Sequence, residues 1–173
     1  MVGILYSGRA SAPKLAYYTS AIQGELAMSL IIRPYEPKDQ RAVIALWNTC
    51  HLLVPQNDPV RDIDAKTQFQ GSLFLVAVKT GRLLGTVMAG YEGHRGWINY
   101  LAVAPDYRRQ GLGRQLMEAA ESKLRDLNCP KINLQVRRSN KGVIAFYHAI
   151  GFREDDVVSL GKRLDNPMAA NRG

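Results

Sequence analysis

The feature that most constrains the fold is an apolar segment that passes through a basic, glycine-bearing loop directly into an amphipathic helix, over residues 101–114. The apolar segment breaks at Pro105, and a helical repeat of apolar residues begins after Gly111. Glycine has no Cβ atom, and the first backbone N–H groups of a helix have no intrahelical partner. Because the helix dipole is also positive there, the stretch suits an anion-binding loop, and the alternative is an ordinary strand-loop-helix connection with solvated arginines.

Positive charge is concentrated around this loop. The chain of 173 residues has a formal net charge of +8. Between residues 105 and 141, nine Lys and Arg side chains outnumber four Asp and Glu side chains, so most of the excess lies in this segment. Such a field suits a phosphate-bearing cofactor and equally a nucleic acid, so charge alone does not separate the two.

Composition excludes several other classes of protein. Cys50 and Cys129 cannot form a disulfide framework, and we expect reduced thiols in a cytoplasmic protein. The longest apolar runs, such as residues 73–78, are too short to cross a bilayer, so we expect no membrane partner. Three scattered histidines and two distant cysteines show no metal-ligand spacing, so we expect no metal.

Hydrophobic periodicity and turn residues predict the element order β-α-α-β-β-β-α-β-α-β. Asp39 is the expected N-cap of the first helix, and Asn128 and Gly151 are expected to end the last two helices. Strict alternation would place Trp97, Asn99, Leu101 and Val103 on one face of a strand. The strands are predicted at 30–33, 73–79, 82–91, 96–103, 131–136 and 157–163, and the helices at about 40–50, 59–68, 111–128 and 143–150.

Two motifs occur one after the other around and after the loop. They read Leu101-x-Val103-x-Pro105 with Arg108-x-x-Gly111-x-Gly113, and Asn140-x-x-x-x-Ala145-x-Tyr147 with Gly151-Phe152. Together they resemble the acyl-CoA-binding motif and the second motif of the GCN5-related N-acetyltransferase (GNAT) family, in particular small bacterial acetyltransferases of uncertain substrate. The resemblance extends over roughly residues 30–164.

The resemblance implies an α+β fold with a mixed, mostly antiparallel central sheet flanked by helices. In this fold two central strands, here 96–103 and 131–136, splay apart to form a V-shaped slot. We expect one N-acetyltransferase domain over residues 28–165. Residues 1–27 would form an N-terminal extension or leader, and residues 166–173 a C-terminal tail.

The cofactor implied by the resemblance is acetyl-CoA, used as the acetyl donor. Backbone groups of Leu101, Ala102 and Val103 would pair with its pantetheine arm, Arg108 would stand at the loop entrance, and Asn140 would lie near the pantetheine. The amides around the pyrophosphate would come from Arg109, Gln110, Gly111, Leu112, Gly113 and Arg114.

The reaction implied is direct attack of an amine on the thioester carbonyl, which needs no covalent nucleophile. Tyr147, placed by the second motif near the sulfur, is the candidate general acid, because a phenol of ordinary pKa about 10 can protonate a thiolate. A half-buried core aromatic is the alternative role for this residue. The general base is open: Asn99 stands where many relatives have Glu, and Glu92, His94 or a water held by Asn99 and Tyr100 are the substitutes.

The acceptor is less constrained. In the family the first two helices wall the acceptor cleft, which makes four polar residues candidates for holding a cationic acceptor, with capping and turn roles as the alternative. A small amine, an amino-acid-like metabolite and a protein N-terminus all remain open as acceptors, and a homodimer is possible. The four candidates are Asn57, Asp58, Asp62 and Asp64.

Two other functions compete with an acetyltransferase. A catalytically silent acetyl-CoA-binding sensor would keep the cofactor motif without a productive acceptor site. A nucleic-acid-binding module would use the exposed arginines, but the chain has no helix-turn-helix, RNP or zinc-finger pattern. These arginines are Arg108, Arg109, Arg137 and Arg138.

Overall fold

The computed structural model describes residues 29–162 and 164. The strands are β1 (Leu30–Pro34), β2 (Phe74–Lys79), β3 (Arg82–Tyr91), β4 (Gly96–Val103) and β5 (Ile132–Leu134). The helices are α1 (Gln40–Thr49), α2 (Pro59–Gln70), α3 (Leu112–Asp126) and α4 (Lys141–Ala149). Short 3₁₀ turns precede α1, β2 and the loop before α3, at Pro37–Asp39, Gly71–Leu73 and Pro105–Tyr107.

The five strands form one sheet in the order β1-β2-β3-β4-β5. All neighbours are antiparallel except β4 and β5, which are parallel. One face of the sheet packs under α3 through residues such as Leu84 and Val87, and the other face packs under α1 through Phe74 and Met88. The predicted α+β architecture, a mixed sheet flanked by helices, is confirmed.

Helix α3 is the element that the sequence predicts best. Its stripe of apolar side chains is buried, and it approaches β3 so closely that a Cβ atom on Gly85 would lie 2.8 Å from a methyl group of Leu116. The helix ends where Asn128 takes a positive φ of 57° and the Cys129 N–H donates to the Leu124 carbonyl. The predicted stop at Asn128 is confirmed.

Helix α2 supplies side chains where β3 has no partner on its β2 side. The β2–β3 ladder ends at Met88, yet β3 continues to Tyr91. The carboxamide of Gln70 bonds both the N–H and the carbonyl of Tyr91, and the Lys66 ammonium donates to the Ala89 carbonyl. Burial lowers the pKa of Lys66 to about 8.

Replacing Lys66 by Met is expected to change how stability depends on pH. Because the fold disfavours the Lys66 ammonium, the unfolded chain binds more protons between about pH 8 and 10.4, and the free energy of unfolding rises with pH through that window. Lys66→Met should lose this rise. Denaturant unfolding of both proteins across the window measures the difference, and parallel pH profiles would contradict it.

Strand β4 contains a β-bulge that reverses its alternation. Its ladder with β3 pairs Ala102 with Thr86 and Asn99 with Met88, so one extra β4 residue faces β3, and Tyr100 has a φ of 50°. Ile98 packs in the core under α3, whereas Tyr100 and Ala102 pack in the core under α1. The single shared face predicted for Trp97, Asn99, Leu101 and Val103 is therefore wrong, since Leu101 and Val103 pack on the α3 side.

Asp39 occupies the predicted N-cap position of α1, but its side chain forms no capping hydrogen bond to this helix. Its carboxylate accepts two hydrogen bonds from Arg33, at 2.7 and 2.9 Å, and one from the Glu36 N–H at 2.9 Å. Burial alone would raise the pKa of Asp39, but these bonds outweigh it and lower the pKa below its usual value. The 3₁₀ turn Pro37–Asp39 runs directly into α1, so the carboxylate ties this turn to β1.

The predicted last strand, residues 157–163, is wrong over its described part. Residues 157–162 belong to no ladder, and Val157, Val158 and Leu160 are 74%, 84% and 91% exposed. Contacts with the neighbourhood of β5 are made by side chains only, between Lys131 and Asp155 at 2.6 Å and between Gln135 and Ser159. Strand propensity without a partner backbone does not form a sheet.

The predicted boundaries of the domain, residues 28 and 165, both lie outside the described residues. The expected N-terminal extension, residues 1–27, and the expected tail, residues 166–173, lie outside the described residues. Among residues 29–162 and 164, none of the helices combines the length and the apolar character needed to span a membrane.

Candidate active site

A slot begins where β4 parts from β5, at the predicted place, but β5 ends at Leu134 and the predicted strand 131–136 is therefore shorter than expected. The two strands pair only from Gly96 with Ile132 to Ile98 with Leu134. Beyond Ile98, β4 continues to Val103 with no strand beside it on the β5 side of the described sheet. A strand edge of this kind presents free N–H and C=O groups to an extended ligand.

The bulge determines which residues present their backbone to the slot. The Gly96 N–H donates to the Lys131 carbonyl on the β5 side, whereas the Ala104 N–H donates to the Leu84 carbonyl on the β3 side. Neighbouring residues of a strand alternate in direction, so Val103 and, two residues earlier, Leu101 point their backbone groups into the slot. Ala102 points toward β3, where it pairs with Thr86.

Arg108 is directed back to β4 and away from the centre of the basic loop. Its Nε donates to the Val103 carbonyl at 3.1 Å, and its guanidinium lies 3.5 Å from the Cys50 sulfur. The Cys50 thiol also reaches the Val103 carbonyl at 3.5 Å. The groups left for a ligand at this edge are therefore the Val103 N–H and both backbone groups of Leu101.

The basic loop has the backbone of an anion cradle. Arg109 and Gly111 have positive φ values of 62° and 83°, a geometry that turns successive N–H groups toward one point. The Gln110 side chain stays inside the loop and donates to the Asp106 carbonyl at 2.9 Å. Arg109 is exposed, which leaves its guanidinium available to a phosphate group.

Helix α3 starts at this loop without a side-chain cap. Gly111 occupies the cap position, and the first intrahelical bond runs from the Gln115 N–H to the Gly111 carbonyl. The Leu112 side chain is buried in the core, so this residue offers a ligand its backbone alone. Three N–H groups remain without intrahelical partners, those of Leu112, Gly113 and Arg114.

Helix α4 packs against the start of α3. A Cβ atom on Gly113 would lie 3.4 Å from the Phe146 ring and 3.7 Å from Val103, so glycine permits this close packing. The exposed Arg114 reaches the Ala149 carbonyl at 3.4 Å. Asn140 caps α4 by accepting from the Val143 N–H at 3.3 Å, which leaves its NH₂ group for a ligand.

Tyr147 is a buried phenol with no hydrogen-bond partner among the described residues. The residue is 7% exposed, and its ring meets Phe146 and Phe152 edge to face at 5.1 and 5.4 Å. It lines an open groove of about 1380 Å³ between β5 and α4. Burial raises the pKa of Tyr147 to about 12, so its hydroxyl stays protonated near neutral pH and can donate to a ligand.

The structure separates the four acceptor candidates. Asp58 caps α2 by accepting from the Val60 and Arg61 N–H groups at 2.9 and 3.3 Å. Asp64 lines a separate cavity of about 360 Å³. Asp62 instead accepts from the Tyr100 hydroxyl at 2.6 Å, and Asn57 hydrogen-bonds the same hydroxyl. The α2 wall thus brings Asn57 and Asp62 to the β4 bulge.

The substitutes for a general base have separate roles. The Glu92 carboxylate accepts from the His94 and Arg95 N–H groups at 3.0 and 2.6 Å, so it stabilises the β3–β4 turn. Asn99 is exposed next to the bulge. The position of Asn99 therefore offers an amide, which cannot act as a base, and Glu92 is bound within its own turn.

Sequence reasoning did not identify the residues that hold the bulge. Trp47 and Thr86 are fully buried beneath Tyr100, and Tyr100 itself was considered only as a holder of water. The positive φ of Tyr100 carries no marker such as glycine. The only available indication was a threonine within an otherwise apolar strand.

Comparison with known proteins identifies the family. The profile of the acetyltransferase (GNAT) family matches residues 40–152, which include the bulged strand, the basic loop and both motifs. The chain belongs to the GNAT acetyltransferase family. A protein named acetyltransferase from Yersinia pestis (strain Pestoides F) is 45% identical over 133 residues, which cover 77% of this chain and 94% of the relative.

Solved structures agree with this fold. Ard1 from Thermoplasma volcanium matches with a TM-score of 0.65 and 28% identity, over 72% of this chain and 82% of its own. The aminoglycoside acetyltransferase AAC(6′)-Iy, in complex with a CoA-containing bisubstrate analogue, matches with a TM-score of 0.63 and 19% identity, over 78% and 99%. Glucosamine-6-phosphate N-acetyltransferase from Arabidopsis thaliana matches with a TM-score of 0.60 and 22% identity, over 79% and 99%.

Proposed function

We propose that this GNAT protein transfers the acetyl group of acetyl-CoA to a primary amine within a ternary complex. The observation that carries the proposal is the continuous path from the free edge of β4 to the uncapped start of α3. A polar, amide-bearing arm fits the strand edge, and a pyrophosphate fits the helix start. CoA contains both groups, since its amide-bearing arm and its pyrophosphate follow one another along the molecule.

The pantetheine arm and the pyrophosphate of the cofactor both have protein groups to receive them. The pantetheine arm would pair with the Val103 N–H and with Leu101, and the Asn140 NH₂ group would support it from α4. The Ala102 backbone points to β3, so its contribution is the buried side chain that supports the strand. The pyrophosphate would bind the loop and helix N–H groups of Arg109, Gln110, Gly111, Leu112, Gly113 and Arg114.

The reaction exchanges one bond for another. The amine nitrogen, as the free base, attacks the thioester carbon, forming the C–N bond as the C–S bond breaks. The acceptor arrives as an ammonium ion, so one proton leaves before the attack and a second leaves the nitrogen afterwards. The thiolate takes up one proton, and the overall reaction releases one proton. We propose that water beside Asn99 removes the proton from the ammonium group, since Glu92 is engaged in its turn.

Tyr147 is the residue we assign to the leaving sulfur. Its ring is buried, whereas its hydroxyl is protonated, not enclosed by the protein and without a partner among the described residues, so it is free to donate to a developing thiolate. The same hydroxyl can hydrogen-bond the thioester before attack. This supports the general-acid assignment over a purely packing role, because a packing residue gains nothing from a hydroxyl left unpaired.

Calorimetric titration with acetyl-CoA, with CoA and ATP as comparison ligands, tests the proposal. Binding of acetyl-CoA at micromolar concentration, followed by acetyl-CoA-dependent thiol release in the presence of an amine, is the expected result. Binding without thiol release for any amine would instead indicate an acetyl-CoA sensor. The absence of binding at millimolar acetyl-CoA would reject the proposed cofactor.

A further inference from the structure

A buried hydrogen-bond chain fixes the backbone of the β4 bulge. The Trp47 indole N–H donates to the Thr86 hydroxyl at 2.9 Å, and that hydroxyl donates to the Tyr100 carbonyl at 2.9 Å. Trp47 and Thr86 are both 0% exposed. Each polar group in the chain is satisfied by the next, so breaking one link leaves buried groups unpaired.

The same chain places the Tyr100 side chain. Tyr100 has a positive φ of 50°, which is unfavourable for a residue with a Cβ atom. Its ring stacks on the Trp47 ring with centroids 3.9 Å apart, and its hydroxyl donates to Asp62 at 2.6 Å. A strained residue held by several independent contacts is typical of functional sites.

Asp62 is a half-buried carboxylate in a basic protein, and it forms no ion pair within the described part of the chain. Lys66, one helical turn away, is turned to the Ala89 carbonyl instead. Burial and the bond to Asp62 raise the pKa of Tyr100 to about 12, so the hydroxyl donates to the carboxylate and keeps it oriented. One carboxylate oxygen accepts this bond, and the other is available to a cation.

We propose that Asp62 and Tyr100 form the subsite for the ammonium group of the acceptor, and that Trp47 and Thr86 are positioning residues for this subsite. The inference rests on the proposed function. The subsite lies at the first residues of β4 after it parts from β5, on the face of the sheet that carries α1 and α2. The anion cradle belongs to α3 on the opposite face, so donor and acceptor would approach the slot from opposite sides.

The substrate class that follows is a primary amine that binds in its cationic form. Asp62 supplies the charge, and the Tyr100 hydroxyl oxygen supplies a second acceptor for an N–H group of the ammonium ion. A neutral alcohol of the same shape lacks the charge that Asp62 would bind. We therefore expect an acceptor amine to bind more tightly than its hydroxyl analogue.

The experiment compares Asp62→Asn with Asp64→Asn, a control two residues along the same helix that lines the separate cavity. Thiol release is measured against alkylamines, amino sugars and peptide N-termini, with the matching alcohols as competitive inhibitors. For the amine with the highest activity, Asp62→Asn should raise KM by about 10- to 100-fold, while Asp64→Asn leaves it unchanged. Calorimetry with acetyl-CoA should give the same affinity for all three proteins.

Each outcome decides a different claim. An unchanged acceptor KM in Asp62→Asn, with turnover intact, overturns the subsite and leaves the acetyltransferase standing. Acetyl-CoA binding with no amine consumed also overturns the subsite. A wild-type protein that does not bind acetyl-CoA rejects the proposed function first, and the subsite with it.

Thr86→Val and Thr86→Ser test the positioning role. Val removes the hydroxyl that joins Trp47 to Tyr100, whereas Ser retains it. We expect Thr86→Val to raise the acceptor KM by about tenfold with little change in acetyl-CoA affinity, and Thr86→Ser to restore the wild-type value. Equal acceptor KM values for the two folded variants would contradict the positioning role, because a purely structural threonine would not act on the acceptor alone.

Discussion

Replacing Tyr147 by Phe is expected to lower kcat by about 10²- to 10³-fold while leaving the dissociation constant of acetyl-CoA nearly unchanged. Phe preserves the ring that packs edge to face on Phe146 and Phe152 and removes only the unpaired hydroxyl. The loss should therefore be confined to chemistry at the sulfur. Steady-state kinetics and calorimetry on the same preparation measure the two quantities separately.

The matched control for this variant is Tyr91→Phe, which also removes one phenolic hydroxyl. That hydroxyl donates to the Gly93 carbonyl at 3.0 Å in the β3–β4 turn and has no role in the proposed chemistry. The kcat of Tyr91→Phe should stay at the wild-type value. A wild-type kcat for Tyr147→Phe would show that another group, or solvent, protonates the thiolate.

Replacing Gly111 by Glu is expected to weaken acetyl-CoA binding by about 100-fold or more. A side chain at a φ of 83° is strained by about 1–2 kcal/mol, which disturbs the cradle itself. The added carboxylate also stands at the helix start, where it competes with the pyrophosphate for the same N–H groups. Calorimetric titration with acetyl-CoA measures the loss.

Gly81→Glu is the control, because it adds similar backbone strain and the same charge away from the basic loop. Gly81 also has a positive φ, of 72°, with open space around its Cβ position, and it lies in the β2–β3 turn away from the loop. The Gly81→Glu variant should lose about as much stability as Gly111→Glu and should bind acetyl-CoA as the wild type does. Equal affinities for the two Glu variants would remove the basic loop from the proposed cofactor site.

The parts of the fold that the sequence predicts correctly are those determined by local chemistry. The apolar repeat of α3 can face only one core, and Gly151, with a φ of 101°, ends α4 as predicted. The Thr80-Gly81 turn joins β2 to β3 because both residues adopt the positive φ that a tight hairpin needs. These elements depend on neighbours a few residues apart.

The parts that the sequence does not predict depend on distant partners. The bulge at Tyr100 exists because Trp47 and Thr86, far away in the chain, hold its carbonyl and its ring. Arg108 is drawn to β4 by the Val103 carbonyl, which no local pattern reveals. Residues 157–162 have the composition of a strand, but strand formation also needs a partner edge.

The candidate acceptor residues show the same division. The resemblance to the family makes four polar residues on or before α2 candidates, but only the crossing of that helix over β4 selects among them. Asp58 lies at the helix start and is used there as a cap, whereas Asp62 lies one turn later, above Tyr100. The choice follows from the phase of the helix relative to the sheet, which single-sequence patterns do not define.

The extra residue at Tyr100 also sets the phase of β4. Deleting one residue between Ile98 and Leu101 would remove the bulge and restore regular alternation, with the backbone groups of Leu101 and Val103 still directed into the slot. A strand of unchanged length that lost the bulge would instead turn these groups toward β3. An alignment of β4 with a strand that lacks a bulge will be out of phase by one position on one side of Tyr100.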